Sequence, residues 1–353
     1  MKDVLRLDDF EPLAREKLDA AAYAYYVGGA GDEITLQENA AAFKRYRLKQ
    51  RVLVDVSTVD TSTTFLGSEA SLPVGLAPNA MHTLADPEGE VATALAAAAA
   101  KVLMCLSTLS GRSMEDVAAA APAHRWFQLY VPRDRALAKD LIQRAVDAGY
   151  EAIVLTADLP VPGYRERELR DPVTFGDPSA FGNFFGFVDT QGADLLEMLD
   201  ELINPAITWE DIEWIKGASD LPFVLKGVMC EEDARLAIDH GVDGLVVSNH
   251  GGRQLDRVPA TIDVLEEITA SVGDKGEVFL DGGVRRGVDV VTALALGARG
   301  AFIGRPYLFA QAAGGEAGVT HAIDLMRAEV ANAMALVGAR SIAEVTRDCL
   351  FSR

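Results

Sequence analysis

Residues 244–254 read Gly-Leu-Val-Val-Ser-Asn-His-Gly-Gly-Arg-Gln, an apolar run followed by a polar glycine turn. The run is short and rich in valine, which is typical of a strand buried in a parallel sheet. The turn places His250 and Arg253 directly after that strand. An imidazole can take a proton near neutral pH, and a guanidinium can bind a carboxylate through two parallel hydrogen bonds. The stretch therefore predicts a parallel strand whose carboxyl end carries chemistry next to a carboxylate.

Short apolar runs of this kind recur along the chain, separated for the most part by amphipathic helical patterns. In chain order they span residues 74–77, 103–106, 126–129, 152–155, 223–225, 245–247, 278–280 and 301–303. Strand and helix alternating eight times predict an α/β fold, the (β/α)₈ TIM barrel. An open doubly wound sheet is the alternative. It is disfavoured because Pro78-Asn79-Ala80 follows the first run, where that fold carries a glycine fingerprint.

Two segments lie outside the alternation. Residues 1–72 look helical and contain the tyrosine cluster Tyr23, Tyr25 and Tyr26, followed by a glycine loop that could bend over a barrel mouth. The connection after the fourth strand runs from about Leu159 to Asn204, a length typical of a lid, a binding loop or a disordered segment. Because no tandem repeat or linker is present, we predict a single domain over 1–353. It comprises an N-terminal helical extension over 1–72, and a barrel with C-terminal helices over 73–353.

Composition limits the partners. The chain has 353 residues, 49% of them hydrophobic, and a net charge of −20, which argues against nucleic acid and anionic membrane surfaces. Cys105, Cys230 and Cys349 show no paired spacing for zinc or redox exchange, so no metal site is predicted. Residues 1–10 lack an apolar signal segment, and the alanine-rich stretch 92–100 is too short to span a bilayer. We therefore expect a cytoplasmic protein.

Polar residues follow most of the predicted strands. They are Ser107, Gln128 and Tyr130, Thr156 and Asp158, Lys226, Ser248 and His250, Asp281, and Gly304 with Arg305. A single such residue usually caps or forms a turn, but barrel active sites lie at the carboxyl ends of the strands, so the whole set should converge on one mouth. Residues 281–287 (Asp-Gly-Gly-Val-Arg-Arg-Gly) and 304–306 (Gly-Arg-Pro) follow the last two strands, where barrels often bind phosphate. A pair of ordinary glycine turns is the alternative.

These motifs resemble those of the FMN-dependent (S)-2-hydroxy-acid oxidases and dehydrogenases. Two further segments share the resemblance, Phe127-Gln128-Leu129-Tyr130 and Leu225-Lys226-Gly227-Val228. That family includes glycolate oxidase, lactate oxidase, mandelate dehydrogenase and hydroxymandelate oxidase, and the resemblance runs from about residue 8 to 342. It implies that His250 is the base, with Asp158 stabilising its protonated form. The resemblance also implies that Arg253 binds the substrate carboxylate with the help of Tyr23. Tyr130 is expected to hydrogen-bond the substrate hydroxyl, and Arg165 to add positive charge near the substrate.

The resemblance also implies how FMN is bound. Lys226 is expected beside flavin N1 and O2, where negative charge accumulates on reduction. The other implied contacts are Ser107, Gln128 and Thr156 at the isoalloxazine ring, the backbone of Pro78, Asn79 and Ala80 near N5, Ser248 at the ribityl chain, and Asp281, Gly283, Arg285, Gly304 and Arg305 at the ribityl and phosphate ends.

Departures from the family pattern bear on the substrate. Leu109 stands where glycolate-oxidising members carry tryptophan, Asn79 replaces a common threonine, and residues 159–164 replace a basic stretch. A leucine there enlarges the space above the flavin, with Met81 and phenylalanines of the long connection as further apolar candidates. We therefore expect a mandelate-type acid, with medium-chain aliphatic acids as the second choice over glycolate or lactate.

The expected reaction is oxidation of an (S)-2-hydroxy acid to the 2-oxo acid, with dioxygen as acceptor and hydrogen peroxide as product. Two alternatives stay open: a dehydrogenase that passes electrons to a quinone or a protein carrier, and flavin-dependent oxidation of a peptide-derived cofactor precursor. The residues do not distinguish proton abstraction from hydride transfer. The resemblance further implies a homotetramer.

Overall fold

Eight parallel strands close into a barrel in the computed structural model, which describes residues 3–175, 180–184, 192 and 194–351. A short antiparallel hairpin, β1 (Thr63–Phe65) and β2 (Ser68–Ala70), precedes the barrel. The barrel strands are β3 (Val74–Leu76), β4 (Met104–Leu106), β5 (Arg125–Leu129), β6 (Ala152–Thr156), β7 (Phe223–Val228), β8 (Gly244–Val247), β9 (Glu277–Leu280) and β10 (Gly300–Ile303). β10 pairs with both β9 and β3. The predicted (β/α)₈ class is confirmed, and the open sheet is excluded.

Helices surround the barrel and form most of the N-terminal extension. They are α1 (Phe10–Arg15), α2 (Ala20–Val27), α3 (Ile34–Phe43), α4 (Glu90–Ala100), α5 (Met114–Ala120), α6 (Arg135–Asp147), α7 (Glu166–Arg170), α8 (Leu195–Leu202), α9 (Asp211–Lys216), α10 (Glu231–Asp239), α11 (Thr261–Val272), α12 (Gly287–Ala295) and α13 (Arg305–Val337). α13 is interrupted by non-helical backbone at Gly314 and Gly315. Short 3₁₀ turns include His82–Leu84, Gly182–Phe184 and His250–Gly252. None of the helices described here is long and apolar enough to cross a membrane.

The barrel interior is filled by alternate residues of the strands. Trp126 and Val154 point inward, whereas their neighbours Phe127 and Ile153 belong to the outer core, because successive strand residues face opposite sides of a sheet. Phe65 of β1 enters the same inner cluster, and its ring lies 5.4 Å from that of Phe279. The hairpin therefore closes the amino end of the barrel and leaves the carboxyl end for the site. The expectation of a helical extension had missed this hairpin.

The extension reaches the opposite, carboxyl end of the barrel through its glycine loop. Ala30 N donates to Gly252 O at 2.9 Å, and Gly31 N donates to Tyr164 O at 3.0 Å. A Cβ on Gly29 would lie only 3.0 Å from Gly252 O, so a side chain would separate the two backbones. The glycine loop therefore lies over the barrel mouth, as its composition suggested.

The long connection after β6 is partly ordered into secondary structure. It contains α7, the 3₁₀ turn Gly182–Phe184 and α8, whose N-cap Asp194 accepts hydrogen bonds from Leu196 N and Glu197 N. The rings of Phe175 and Phe181 pack edge to face, 5.2 Å apart. Two further phenylalanines of the connection, Phe185 and Phe187, lie outside the described residues.

Candidate active site

A cleft opens at the carboxyl ends of the strands. Its empty space is about 1050 Å³, counting the open mouth. Most of the predicted site residues line it: Pro78, Asn79, Ala80, Ser107, Leu109, Tyr130, Arg165, Lys226, His250, Arg253, Asp281, Gly283, Arg285, Gly304 and Arg305. A wider trough at the amino ends, with about 2930 Å³ of empty space, contains none of them. The chemistry of the chain is therefore concentrated at one end of the barrel, as the strand ends predicted.

Four predicted residues stand directly behind the lining. Asp158 contacts His250, Gln128 accepts from Ser107 Oγ at 3.2 Å, and Ser248 Oγ accepts from Lys226 Nζ at 2.8 Å. Thr156 ends β6 and is paired in register with Lys226 on β7. The structure therefore brings these residues within one contact of the cleft.

His250 is held in a strained turn beside a carboxylate. Its φ is 57°, a left-handed value that costs a non-glycine residue roughly 1–3 kcal/mol and is characteristic of functional sites. Its Nδ1 lies 2.9 Å from Asp158 Oδ1, and its Nε2 lies 3.5 Å from the Tyr130 hydroxyl. When Nδ1–H donates to Asp158, Nε2 is unprotonated. The arrangement thus presents a proton acceptor toward the cleft.

The electrostatics keep this imidazole neutral and its partner ionised. Burial lowers the pKa of His250, and Lys226 and Arg165 lower it further, against the opposing effect of Asp158. Burial alone would raise the pKa of Asp158, but its interactions with His250 and Lys226 hold it below its ordinary value. His250 is consequently available as a base near neutral pH.

A second ion pair stands deeper in the mouth. Lys226 Nζ lies 3.2 Å from Asp281 Oδ2, and both side chains are buried. Burial opposes the charge of Lys226, yet the carboxylates of Asp281 and Asp158 raise its pKa above the ordinary value. Lys226 is therefore a fixed buried cation at the end of β7.

Arg253 faces the cleft from the turn after β8. Its Nη1 donates to the carbonyls of Tyr25 at 2.6 Å and Gly28 at 3.0 Å, and its Nη2 donates to Glu168 Oε1 at 2.9 Å. The guanidinium also lies over the Tyr25 ring, 4.9 Å from its centroid. Arg165 lies alongside and donates from Nε to the carbonyl of Arg253 at 2.9 Å. Two guanidinium groups therefore stand next to the base.

The position predicted for Tyr23 is wrong. Its hydroxyl donates to Glu11 Oε1 at 3.0 Å, and it does not line the cleft, whereas Tyr25 does. Two residues along a helix turn the side chain by about 200°, so these two tyrosines of α2 face opposite ways. The helical period separates the two tyrosines but does not decide between them; the fold buries Tyr25 and leaves Tyr23 partly exposed. Glu168 was missed as well, because its partners come together only in the folded chain.

Polar atoms in and beside the cleft fit the edge of a flavin ring. The buried atoms without a hydrogen-bond partner among the described residues include Asn79 Nδ2, Gln128 Nε2 and Asp281 Oδ1. Gln128 Oε1 accepts from Ser107 Oγ and from Thr108 N at 3.1 Å, which fixes its amide so that Nε2 is the free donor. Buried donors and acceptors without partners are costly unless a ligand pairs with them. The set suits the donors and acceptors of FMN.

The far end of the cleft is strongly cationic. Burial lowers the pKa of Arg305 well below its ordinary value, and the charges of Arg253, Arg285 and Arg165 add to the effect. Arg305 is fixed by carbonyls of the extension, donating from Nε to Tyr26 O at 2.8 Å and from Nη2 to Gly28 O at 2.7 Å. Converging buried cations of this kind favour a phosphate dianion. The residues present therefore fit a phosphate as well as a flavin ring.

The apolar wall differs in part from the expectation. Leu109 lines the cleft and is 2% exposed, and Leu159 and Leu199 from the connection after β6 line it too. Met81 is buried but does not line the cleft, because it turns into the core at a left-handed φ of 62°. The described phenylalanines of the connection also pack elsewhere. Leucines, rather than Met81 or the described phenylalanines of the connection, therefore form this wall.

Comparison with known proteins agrees with this geometry. The family model described as FMN-dependent dehydrogenase matches residues 14–352. The chain is 46% identical over 351 residues to L-lactate oxidase of Nostoc sp., covering 97% of this chain and 96% of that protein. It is 45% identical over 350 residues to glycolate oxidase 3 of Arabidopsis thaliana, with 98% and 95% covered.

Solved structures resemble it over the same length. The crystal structure of mandelate oxidase with (S)-4-hydroxymandelic acid has 40% sequence identity and a TM-score of 0.92, and covers 99% of both chains. Fold, site and sequence thus point to the same family.

Proposed function

The chain belongs to the FMN-dependent dehydrogenase family, and on that premise we propose that it oxidises an (S)-2-hydroxy acid of the mandelate type. FMN is the cofactor, and FMN-dependent oxidation of a 2-hydroxy acid is the activity of its relatives. The product would be the 2-oxo acid, and dioxygen would take the two electrons and two protons as hydrogen peroxide. The observation that carries the substrate proposal is Leu109 at the wall of the cleft, which Leu159 and Leu199 also line.

Binding of the acid is proposed to start at its carboxylate. Arg253 offers a planar edge suited to a bidentate contact, and Arg165 adds a second positive charge. The Tyr130 hydroxyl, 3.5 Å from His250 Nε2, would orient the substrate hydroxyl toward the base. These contacts together would hold the substrate carbon in a reactive orientation.

Proton removal is assigned to His250. Its Nε2 accepts the proton, and the imidazolium formed is stabilised by Asp158, 2.9 Å from Nδ1. When bound, FMN supplies the acceptor for the two electrons that leave the substrate. Lys226 is a buried cation and would stabilise the negative charge that develops beside it during the reaction.

Phosphate anchoring is assigned to the loops after β9 and β10. Arg285 and Arg305 line the same end of the cleft, and both have a pKa lowered chiefly by burial. A dianion would relieve the repulsion among these guanidinium groups. Asn79, Gln128 and Asp281 are proposed to pair with the flavin, since each has one buried polar atom without a partner among the described residues.

A phenyl side chain is supported by the size and polarity of the wall. Leucine is smaller than an indole, and burying a phenyl ring contributes roughly 2 kcal/mol of binding. A mandelate oxidase with bound (S)-4-hydroxymandelic acid has a similar fold over the whole chain. The relatives named lactate and glycolate oxidases make the small acids the competing substrates.

The test is an aerobic substrate panel of (S)-mandelate, (S)-4-hydroxymandelate, medium-chain 2-hydroxy acids, (S)-lactate and glycolate. We expect the highest kcat/KM for the mandelates, with one hydrogen peroxide formed per acid oxidised. A preference for glycolate or lactate would overturn the aromatic assignment. Turnover with a quinone but without peroxide would overturn dioxygen as the acceptor.

A further inference from the structure

One buried carboxylate bridges the two guanidinium groups at the cleft. Glu168 Oε1 accepts from Arg253 Nη2 at 2.9 Å, and Glu168 Oε2 lies 3.3 Å from Arg165 Nη1. The side chains of Glu168 and Arg165 are each 3% exposed, and that of Arg253 is 13% exposed. Glu168 itself does not line the cleft, so it stands behind the two arginines rather than beside a ligand.

The bridge matters because the two cations repel each other. Burial lowers the pKa of Arg165, the charge of Arg253 lowers it further, and the carboxylate of Glu168 opposes both effects. At low exposure such repulsion is poorly screened by water. A neutral residue at 168 would leave two adjacent buried cations without their shared partner.

The bridge also decides which donors of Arg253 face the ligand. Its described hydrogen bonds use Nη1 twice, for Tyr25 O and Gly28 O, and Nη2 once, for Glu168. The Nε–H and the second Nη2–H remain, and they form the edge of a guanidinium that binds a carboxylate side-on. Glu168 thereby fixes the plane of the Arg253 guanidinium and the direction in which that edge points.

The position of Glu168 is set by α7 and its surroundings. Arg165 precedes the helix and is fixed by Gln254 Oε1, which accepts from its Nη2 at 2.9 Å. On the outer side of the same helix, Arg167 makes two hydrogen bonds of 2.7 Å to Glu33 of the extension. The carboxylate is therefore rigidly placed between the arginines.

We propose that Glu168 is a positioning residue that sets the spacing and orientation of Arg253 and Arg165 for the substrate carboxylate. This inference rests on the proposed role of the two arginines in substrate binding. It adds a residue that touches neither substrate nor cofactor but determines how selectively the site takes an acid over its neutral analogue.

The test compares Glu168→Gln, Glu168→Asp and the control Glu166→Gln in the FMN-loaded enzyme. Glu166 lies on the same helix, and its side chain is 45% exposed. Binding of the 2-oxo acid product and of the 2-hydroxy amide analogue of the best substrate is followed by perturbation of flavin absorbance. KM and the rate of anaerobic flavin reduction are measured with that substrate.

For Glu168→Gln we expect acid binding to weaken and KM to rise about 10- to 100-fold, as for loss of a charge-assisted contact. Binding of the neutral amide should change by less than about twofold, since it does not depend on paired charges. Glu168→Asp keeps the charge and should lose less than Glu168→Gln, and Glu166→Gln should match wild type. If Glu168→Gln fails to retain FMN, the aspartate variant is expected to show the same acid-selective loss on its own.

Several results would overturn the proposal. They are acid binding unchanged or tightened in Glu168→Gln, equal losses for acid and amide, and a loss in Glu168→Asp as large as that in Glu168→Gln. Arg253→Lys separates this failure from that of the proposed function. Weak acid binding in Arg253→Lys together with a normal Glu168→Gln rejects the bridge alone, whereas normal acid binding in Arg253→Lys rejects the clamp itself.

Discussion

His250 Nδ1 and Asp158 Oδ1 lie 2.9 Å apart, joining the end of β6 to the turn after β8. The contact fixes the imidazole so that Nε2, near the Tyr130 hydroxyl, is the free nitrogen. Neither partner needs to move for a proton to be taken up at Nε2.

Replacing the base should separate cofactor binding from turnover. In His250→Gln we expect FMN to remain bound, because no phosphate contact is lost, while turnover falls about 10⁴-fold. The measurement is anaerobic flavin reduction by the best acid, with FMN content as the control. Activity within tenfold of wild type would show that a different group is the base.

The pH dependence of kcat/KM should report on the same His250–Asp158 pair. His250 must be neutral to act, so kcat/KM should fall as the pH drops through its pKa, which burial places below the ordinary value of 6.5. Asp158 raises that pKa, so Asp158→Asn should move the acid limb to still lower pH. It should also lower kcat by about 10²- to 10⁴-fold, because an amide can stabilise the wrong tautomer. A limb that stays in place or moves to higher pH contradicts the assignment.

Retention of FMN should depend on the guanidinium groups at the far end of the cleft. Arg285→Gln and Arg305→Gln are each expected to weaken FMN binding by roughly 1.5–3 kcal/mol. Flavin content after gel filtration is the readout. Arg286→Gln is the matched control, since its partner is Glu329 on α13. A double variant that stays fully loaded would show that the phosphate binds elsewhere.

Substrate preference should depend on the side chain at position 109 in the cleft wall. Leu109→Trp fills space in the cleft, so kcat/KM for (S)-mandelate is expected to fall about thirtyfold, the equivalent of roughly 2 kcal/mol for a buried phenyl ring. Lactate and glycolate should be affected much less. Leu109→Met conserves volume and serves as the control. Unchanged activity of the tryptophan variant on mandelate would end the aromatic proposal.

The sequence predicted the barrel well because strands buried on both faces are continuous apolar runs with polar residues at their ends. β8 and the turn that carries His250 and Arg253 are the clearest case. The hairpin β1–β2 was not predicted, because strands of three residues are too short to show the alternation of apolar and polar residues that is typical of a strand. Tyr23 was predicted in place of Tyr25 because the two residues are of the same type, and they differ only in the face of α2 on which they lie. Glu168 could not be found at all, since its partnership with Arg253 spans 85 positions in sequence.

Phe65 has a kinetic consequence. Its ring packs among Trp126, Phe279 and Phe302, and the contacts with Phe279 and Phe302 connect the first quarter of the chain with the last. Closing loops of that length precedes any gain from packing, so topologies rich in distant contacts fold slowly. During synthesis the hairpin emerges long before β9 and β10, and must wait for them with an aromatic side chain exposed. The aromatic cluster inside the barrel thus cannot close until β9 and β10 have been synthesised.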